Sequence, residues 1–396
     1  MTPQSGHQHR KIRSGNQMIA EGAIRSGCNF FSGYPITPAS GIFKSMIEGL
    51  PKRGDIALSA PDEISALAYC VGASARGCKA MTATSGPGFA LMIETLQYAI
   101  ITEIPLVLVL VQRLGPSTGG ATQGGQGDVL LAEFCTSGGY TIPIFAPSTA
   151  AECYELTMLA FSWSEVLRTP VIILSDKEVG MTSESVDYMA LRDIEVVNRT
   201  GLQALPSNYS AMERHIPTYD FSKLEEVPKF FTVGGEYKVT MTGSAHDKNG
   251  ILQKNSPETI EVLRHLQEKI VNRTFDMSVV KFDAQENAET LVISYGITAR
   301  TAREAVRRAR LQGRKLSLLN VLSLFPLPEK KIAHALNGVK RVIVAEENLT
   351  GLYHGVINHL FANRTVIGVN TIGRMITPDD ILRAISQDSP AGDGGA

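Results

Sequence analysis

The sequence predicts an α/β protein, a doubly wound parallel sheet joined to a second, smaller α/β domain. Three observations carry that prediction. From residue 15 to about 195, short apolar runs alternate with stretches of helical periodicity, the pattern of strand–helix–strand units that lay helices on both faces of a parallel sheet. Residues 200–285 break the alternation with scattered prolines and with Tyr209, Tyr219, Phe230 and Phe231. From residue 289 it resumes for about a hundred residues, the size of a small domain.

Each element follows in order. Helical periodicity at 16–26 leads into an apolar strand at 28–33, a helix at 38–49, a strand near 56–59 and a helix at 62–76. A strand at 79–84, a helix at 88–102 and a strand at 105–112 continue the series, and after a Gly-rich loop the unit closes with a strand at 170–174. In the interruption one helix stands out, at 257–272, because Ser256-Pro257-Glu258 joins a capping residue, a proline at the first helical position and a first-turn acid. The second unit reads strand 290–295, helix 298–311, strand 316–321, helix 328–336, strand 341–345, helix 351–361 and strand 366–369. The domain bounds expected from this are a mobile tail at 1–14, a first domain at 15–200, a connecting segment at 201–285, a second domain at 286–388 and a tail at 389–396.

The 396 residues are 43% hydrophobic and 19% charged, enough for two or three cores at roughly 150 residues per domain. With a net charge of -1 and no run of Lys and Arg, nothing predicts nucleic acid or a membrane surface as a partner. Cys28, Cys70, Cys78, Cys135 and Cys153 form no CxxC pair and no Cys/His cluster at metal spacing, so a cytoplasmic setting and no metal site in this chain are expected. The first fourteen residues lack the apolar stretch of a signal peptide. The longest apolar run, 104–111, contains Pro105 and is too short to span a bilayer.

In open parallel sheets ligands bind outside the carboxyl ends of the strands, where the βα loops and helix N-termini converge. Four unusual segments fall on that edge: Tyr34-Pro35-Ile36-Thr37-Pro38, Ala60-Pro61-Asp62-Glu63, Ser85-Gly86-Pro87-Gly88, and the run from Gln112-Arg113 to Gly119-Gly120. Each has a plain reading. Thr37 reads as the N-cap of a helix with Pro38 at N1; Glu63 as a first-turn acid; the Ser-Gly-Pro-Gly stretch as a turn; Arg113 as a rim residue. Together they make a site. Arg113 and a helix N-terminus bearing Thr37 form a clamp for a planar carboxylate, glycines let backbone approach a ligand, and a partly buried Glu63 could share a proton with a ring nitrogen.

These segments, with Val71-Gly72-Ala73-Ser74, Lys79-Ala80-Met81-Thr82, Thr242-Gly243-Ser244-Ala245-His246-Asp247 and Glu346-Glu347-Asn348, closely resemble the alpha subunit of the 2-oxoacid:ferredoxin oxidoreductases, most of all the 2-oxoglutarate type. The resemblance runs from about residue 15 to 385. It implies a thiamine diphosphate-binding fold, with a pyrimidine-type domain at 15–200 and a transketolase C-terminal-like domain at 286–388. It also implies oxidative decarboxylation of a 2-oxo acid, with electrons passed to ferredoxin and the acyl group to coenzyme A. By that resemblance Glu63 is the catalytic glutamate on the aminopyrimidine, Thr37 and Arg113 hold the substrate carboxylate beside Tyr34, Pro35 and Ile36, and Ser85, Gly86, Pro87 and Gly88 lie against the cofactor.

The beta subunit is then expected to carry the diphosphate-binding domain, Mg2+ and a [4Fe-4S] cluster, with gamma or delta subunits as further partners. Here the only Gly-Asp-Gly, Gly392-Asp393-Gly394, stands at the end of the sequence and reads as tail composition. No gamma domain is expected ahead of residue 15. Alternatives are a pyruvate, branched-chain or aryl 2-oxo acid substrate, and an adaptor subunit without chemistry. His246 and Asp247 read as turn or interface residues ahead of an active-site mouth; Glu346, Glu347 and Asn348 as a helix cap or a partner contact; and the arginines of 298–311 as a solvated face.

Overall fold

The computed structural model describes residues 9–192, 194–199, 216–235 and 237–387. Ser14 ends strand β1 (Arg10–Ser14) and caps helix α1 (Gly15–Arg25): its hydroxyl accepts from the Gln17 N–H while the Gln17 side chain accepts from the Ser14 N–H. Then follow β2 (Phe30–Gly33), α2 (Ser40–Gly49), β3 (Ile56–Ser59), α3 (Glu63–Ala75), β4 (Ala80–Thr84), α4 (Gly86–Ile101) and β5 (Leu106–Gln112). A glycine-rich loop leads through α5 (Val129–Glu133) and β6 (Ile144–Phe145) to α6 (Ala150–Leu167), β7 (Pro170–Asp176), α7 (Lys177–Met181) and β8 (Ser183–Asp187).

The connecting segment carries α8 (Pro257–Val271), started by Ser256 accepting from the Thr259 N–H, and the short α9 (Thr274–Met277). The second unit is β9 (Val280–Asp283), β10 (Thr290–Ser294), α10 (Thr298–Leu311), β11 (Leu316–Val321), β12 (Ser323–Phe325), α11 (Glu329–Ala335), β13 (Arg341–Glu346), α12 (Leu352–Ile357), β14 (Thr365–Asn370) and α13 (Pro378–Ser386).

The first sheet has the order β12-β6-β7-β5-β4-β2-β3, parallel except for β12. Its central strand β5 is buried at every residue, which is why 106–111 is a continuous apolar run with no alternation. The second sheet runs β14-β13-β10-β11-β9, parallel except for β9 at the edge.

One expectation changes here. Residues 10–14 are no tail: β1 pairs antiparallel with β8 along its whole length, and Arg13 adds an ion pair to Glu21 at 2.7 Å. The second unit is continuous with the first. Strand β12 leaves it to pair with β6, and the Ala146 N–H donates to the Leu322 carbonyl at 2.8 Å. One apolar cluster therefore runs from Leu67, Leu96 and Leu110 through Phe325 to Leu291 and Tyr353. The expectations resting on Tyr209, on Gly392-Asp393-Gly394 and on the 389–396 tail lie outside the described residues.

The connecting segment is bolted to the first unit by a buried charge cluster. Glu103 Oε2 accepts from Lys269 Nζ at 2.7 Å and lies 3.2 Å from His265 Nε2, with all three side chains inaccessible or nearly so. Arg168, 1% exposed, donates from one nitrogen to the carbonyls of Thr218, Pro228 and Lys229 at 3.0–3.1 Å. These three carbonyls of the irregular backbone at 216–231 are satisfied by that guanidinium.

Candidate active site

Glu63 opens α3 because Asp62 caps it: the Asp62 Oδ1 accepts from the Ser65 N–H at 2.7 Å, and that contact holds the Asp62 carboxyl below its usual range. The cap leaves Glu63 7% exposed, at the carboxyl edge of the sheet. Its carboxylate rests on the next βα loop. A Cβ at Gly88 would stand 2.6 Å from Glu63 Oε1 and 2.2 Å from Thr84 Oγ1, so residue 88 has to be glycine for Glu63 to lie there. Ser85 is the N-cap of the sixteen-residue α4, yet its hydroxyl makes no capping bond and is buried without a partner. The N-terminal turn of α4, Gly86-Pro87-Gly88, is thus left open beside Glu63.

The Tyr-Pro-Ile-Thr-Pro segment differs from its expected form. Helix α2 begins at Ser40 with Ala39 as its cap residue, and Thr37 lies in a turn ahead of it. The reason is where the carbonyls go. Arg113 Nη1 donates to the Thr37 carbonyl at 2.5 Å and Asn16 Nδ2 to the Pro38 carbonyl at 2.9 Å, so the first carbonyl free to take a helical N–H is that of Ala39. Thr37 and Arg113 do meet, through backbone and guanidinium. Tyr34 and Pro35 are exposed, and Ile36 is half-buried against the core of the first unit.

Arg113 itself is 6% exposed, and its Nε is buried without a partner. It lines a cleft of about 460 Å³ with Gly86, Pro87 and Asp128 on the first unit and Glu347 and Asn348 on the second. Neither Glu63 nor Thr37 is part of that lining; the former meets the α4 turn at Gly88, and the latter is joined to Arg113 through its carbonyl. The two acidic residues of the cleft, Asp128 and Glu347, were not singled out as site residues from the sequence. Both oxygens of Asp128 stand 2.9 Å from where a Cβ at Gly86 would be, and Oδ2 has no partner. Burial pushes its carboxyl up to about 6, against the pull of Arg113. Glu347 accepts from the Ile376 N–H at 3.0 Å, but burial, with Asp176 and Glu178 adding repulsion, pushes it up to about 8. The signal for Asp128 was its place at the end of the glycine-rich loop that starts at Arg113.

Other expectations resolve into structural roles. Glu346 accepts from the N–H groups of Tyr353 and His354 at 3.0 and 2.8 Å, and Asn348 Oδ1 from those of Gly351 and Leu352, so the two cap α12. Asp247 Oδ1 accepts from the N–H groups of Asn249 and Ile251, and His246 Nε2 meets the Ile101 carbonyl. That pair therefore builds a turn at the far end of α4, roughly 24 Å from its open N-terminus at 1.5 Å per residue. On α10, Arg307 and Arg308 pair with Glu304, Arg310 with Asp283 and Arg300 with Glu184 of the first unit. Among the described residues no three His, Cys, Asp or Glu side chains could hold a metal ion, and no helix is long and apolar enough to cross a membrane.

Residues 21–264 match the family described as pyruvate flavodoxin/ferredoxin oxidoreductase, thiamine diphosphate-binding, and residues 288–381 match pyruvate:ferredoxin oxidoreductase core domain II. The chain is 37% identical over 382 residues to the 2-oxoglutarate synthase subunit KorA of Methanocaldococcus jannaschii, covering 95% of this chain and 99% of that one. It is 30% identical to the ketoisovalerate oxidoreductase subunit VorB of Methanothermobacter thermautotrophicus, over 94% of this chain and 96% of that one. Among solved structures it is similar to 2-oxoglutarate:ferredoxin oxidoreductase from Magnetococcus marinus with 2-oxoglutarate, coenzyme A and succinyl-CoA bound. The TM-score is 0.86 at 29% identity, and the match covers 97% of this chain but only 66% of that one.

Proposed function

The chain belongs to the pyruvate flavodoxin/ferredoxin oxidoreductase family of thiamine diphosphate-binding proteins, and we propose that it is the alpha subunit of a 2-oxoglutarate:ferredoxin oxidoreductase. The complex would decarboxylate 2-oxoglutarate oxidatively, reduce ferredoxin and deliver succinyl-CoA. The observation that carries this reading is Glu63, a nearly buried carboxylate with no hydrogen bond among the described residues, held by Gly88 beside the open turn of α4. A carboxylate placed there, with its oxygens not taken by the protein, is available to a ligand at the sheet edge.

Thiamine diphosphate fits that carboxylate in donor chemistry. Bound, the cofactor supplies the electron sink that decarboxylation of a 2-oxo acid needs. Glu63 would accept a hydrogen bond from a ring nitrogen of the aminopyrimidine and hold the proton there, and the glycines at 86 and 88 leave room for the ring to approach. Ser85 has a spare hydroxyl at the same place. Arg113, anchored to Thr37 through one nitrogen and free at Nε, would orient the 2-oxo acid carboxylate, with Tyr34, Pro35 and Ile36 bordering the substrate.

In this reading residues 15–200 are the pyrimidine-type domain and 286–388 the transketolase C-terminal-like domain. A beta subunit supplies the diphosphate-binding domain with its Mg2+ and a [4Fe-4S] cluster, gamma or delta subunits complete the assembly, and ferredoxin and coenzyme A are the other reactants. Five free cysteines suit a cytoplasmic complex. The test is to purify the complex with its partner chains and measure thiamine diphosphate- and coenzyme A-dependent ferredoxin reduction across 2-oxo acids. Preference for 2-oxoglutarate is expected. Preference for pyruvate or a branched-chain acid would replace the substrate, and no thiamine-dependent turnover would leave the adaptor reading.

A further inference from the structure

Gln126 sits where the two units meet, and every polar group it has is used. Its side chain is inaccessible. Oε1 accepts from the Glu347 N–H at 2.8 Å and from Thr298 Oγ1 at 2.9 Å, and Nε2 donates to Asp176 Oδ2 at 3.0 Å and to the Tyr295 carbonyl at 3.2 Å. Its backbone N–H donates to the Glu347 carbonyl at 2.7 Å, and its carbonyl accepts from Asn348 Nδ2 at 3.1 Å. One residue of the glycine-rich loop thus holds the ends of β10 and β13 and the start of α10.

The same network reaches Arg113. Asp176 Oδ1 accepts from Gln112 Nε2 at 2.8 Å, and Gln112 Oε1 accepts from the Asp128 N–H at 3.3 Å. Gly125, next to Gln126, packs 3.3–3.5 Å from the backbone of Arg113 and Leu114, measured from where its Cβ would be. Gly296 is fitted to the contact as well: at φ +56° its Cβ would fall 2.1 Å from Asp176 Oδ2 and 2.6 Å from Gln126 Nε2. Only glycine meets both conditions.

We infer that Gln126 is a positioning residue for 2-oxo acid binding: it registers the Glu347–Asn348 turn of the second unit against the loop that carries Arg113 and so sets the opposing walls of the substrate cleft. It touches no reacting atom and acts through Asp176, Gln112 and Glu347. The inference rests on Arg113 holding the substrate carboxylate.

The experiment uses the assembled complex with Gln126→Leu, Gln126→Glu and Arg113→Ala. Gln126→Leu is expected to raise the KM for the 2-oxo acid by about tenfold or more with kcat changed by less than about threefold, because it removes alignment of a binding group shared by ground and transition states. Gln126→Glu keeps the shape and adds a titration. The groups facing position 126 are Asp176 from β7, with Glu178 behind it on α7, Glu346 at the end of β13 and Glu347 just after it, and the carbonyl of Tyr295. With Asp176 across from it, the introduced carboxyl shares a proton with it at pH 6, which keeps the bond to Asp176 while the second bond that the amide donates, to the Tyr295 carbonyl, is lost, and KM lies nearer that of the unsubstituted complex than it does at pH 8. At pH 8 the pair loses that proton, repels, and raises KM reversibly.

A merely structural role would change yield or melting temperature without a KM that follows pH. An unchanged KM in Gln126→Leu, or the same KM ratio to the unsubstituted complex at pH 6 and 8 for Gln126→Glu, overturns the inference. Should Gln126→Leu fail to assemble, the comparison of Gln126→Glu at the two pH values decides. Arg113→Ala separates the two levels: a raised KM there with unaltered Gln126 variants refutes positioning alone, whereas an unaltered KM in Arg113→Ala refutes the carboxylate clamp on which it rests.

Discussion

Gly88 gives Glu63 its place: with a Cβ at 88, Oε1 and Cγ of Glu63 would lie 2.6 and 2.7 Å from it, closer than real contacts allow. The carboxylate of one βα loop is therefore seated on the Cα of the next, and the order of motifs along the chain becomes a geometry at the sheet edge.

Gly88→Ala is accordingly expected to push Glu63 off its seat. The nearest atoms belong to side chains and not to backbone, Thr84 Oγ1 and Glu63 Oε1 and Cγ, so the fold should survive at a cost of about 1–3 kcal/mol. Thiamine diphosphate affinity of the assembled complex should fall by about tenfold or more. Titration of cofactor-dependent activity, set beside a melting curve, checks it, and unchanged affinity would show that Glu63 does not depend on Gly88.

Glu63→Gln keeps the size of the side chain and removes its charge. Loss of thiamine-dependent decarboxylation by about 10²–10⁴-fold is expected, the range for a positioned acid–base group, with assembly intact. Single-turnover decarboxylation and size-exclusion chromatography together measure this. Turnover near that of the unsubstituted complex would refute the role given to Glu63.

Arg113→Ala removes a guanidinium that is buried and only partly used by the protein itself. A loss in kcat/KM for the 2-oxo acid of about tenfold to a hundredfold is expected, as for a hydrogen bond to a charged group. Steady-state kinetics at saturating coenzyme A show whether the loss falls on KM or on kcat. An unchanged kcat/KM would remove the clamp.

Glu103 predicts acid sensitivity. Burial alone would raise its carboxyl, but Lys269, Arg168 and His265 outweigh it and hold it well below the usual carboxylate range. Its folded-state value lies below the unfolded one, so its stabilisation is present above about pH 4.3 and is lost as pH falls through that range toward the folded value. Glu103→Gln should therefore destabilise the protein at pH 7 by about 3–5 kcal/mol, leaving Lys269 buried and unpaired. Urea titrations at pH 7 and pH 4 should find the gap between the two proteins narrower at pH 4. An equal gap at both would refute the linkage.

Much of the architecture was legible because it repeats locally. The apolar run at 106–111 can only be a strand buried on both faces, and Ser256-Pro257 starts α8 where the sequence places it. The helix start at Glu63 was legible for the same reason, since Asp62 next to it sets it. Thr37 was read as the N-cap, two residues ahead of the observed cap, Ala39. The Thr37 carbonyl is taken by Arg113, 76 residues away, and no local rule anticipates that.

The sequence by itself determined the alternation of elements, the loops that gather at one sheet edge, and the motifs that mark the chain's family, because each depends on neighbours within a few turns of chain. Only the tertiary structure decided that β12 crosses into the first sheet, that Gln126 joins the two units and that Asp128 and Glu347 line one cleft with Arg113. Those are contacts between residues far apart in sequence. Their cause is the need to satisfy buried polar groups where two sheets meet, and that meeting exists only once the chain has folded.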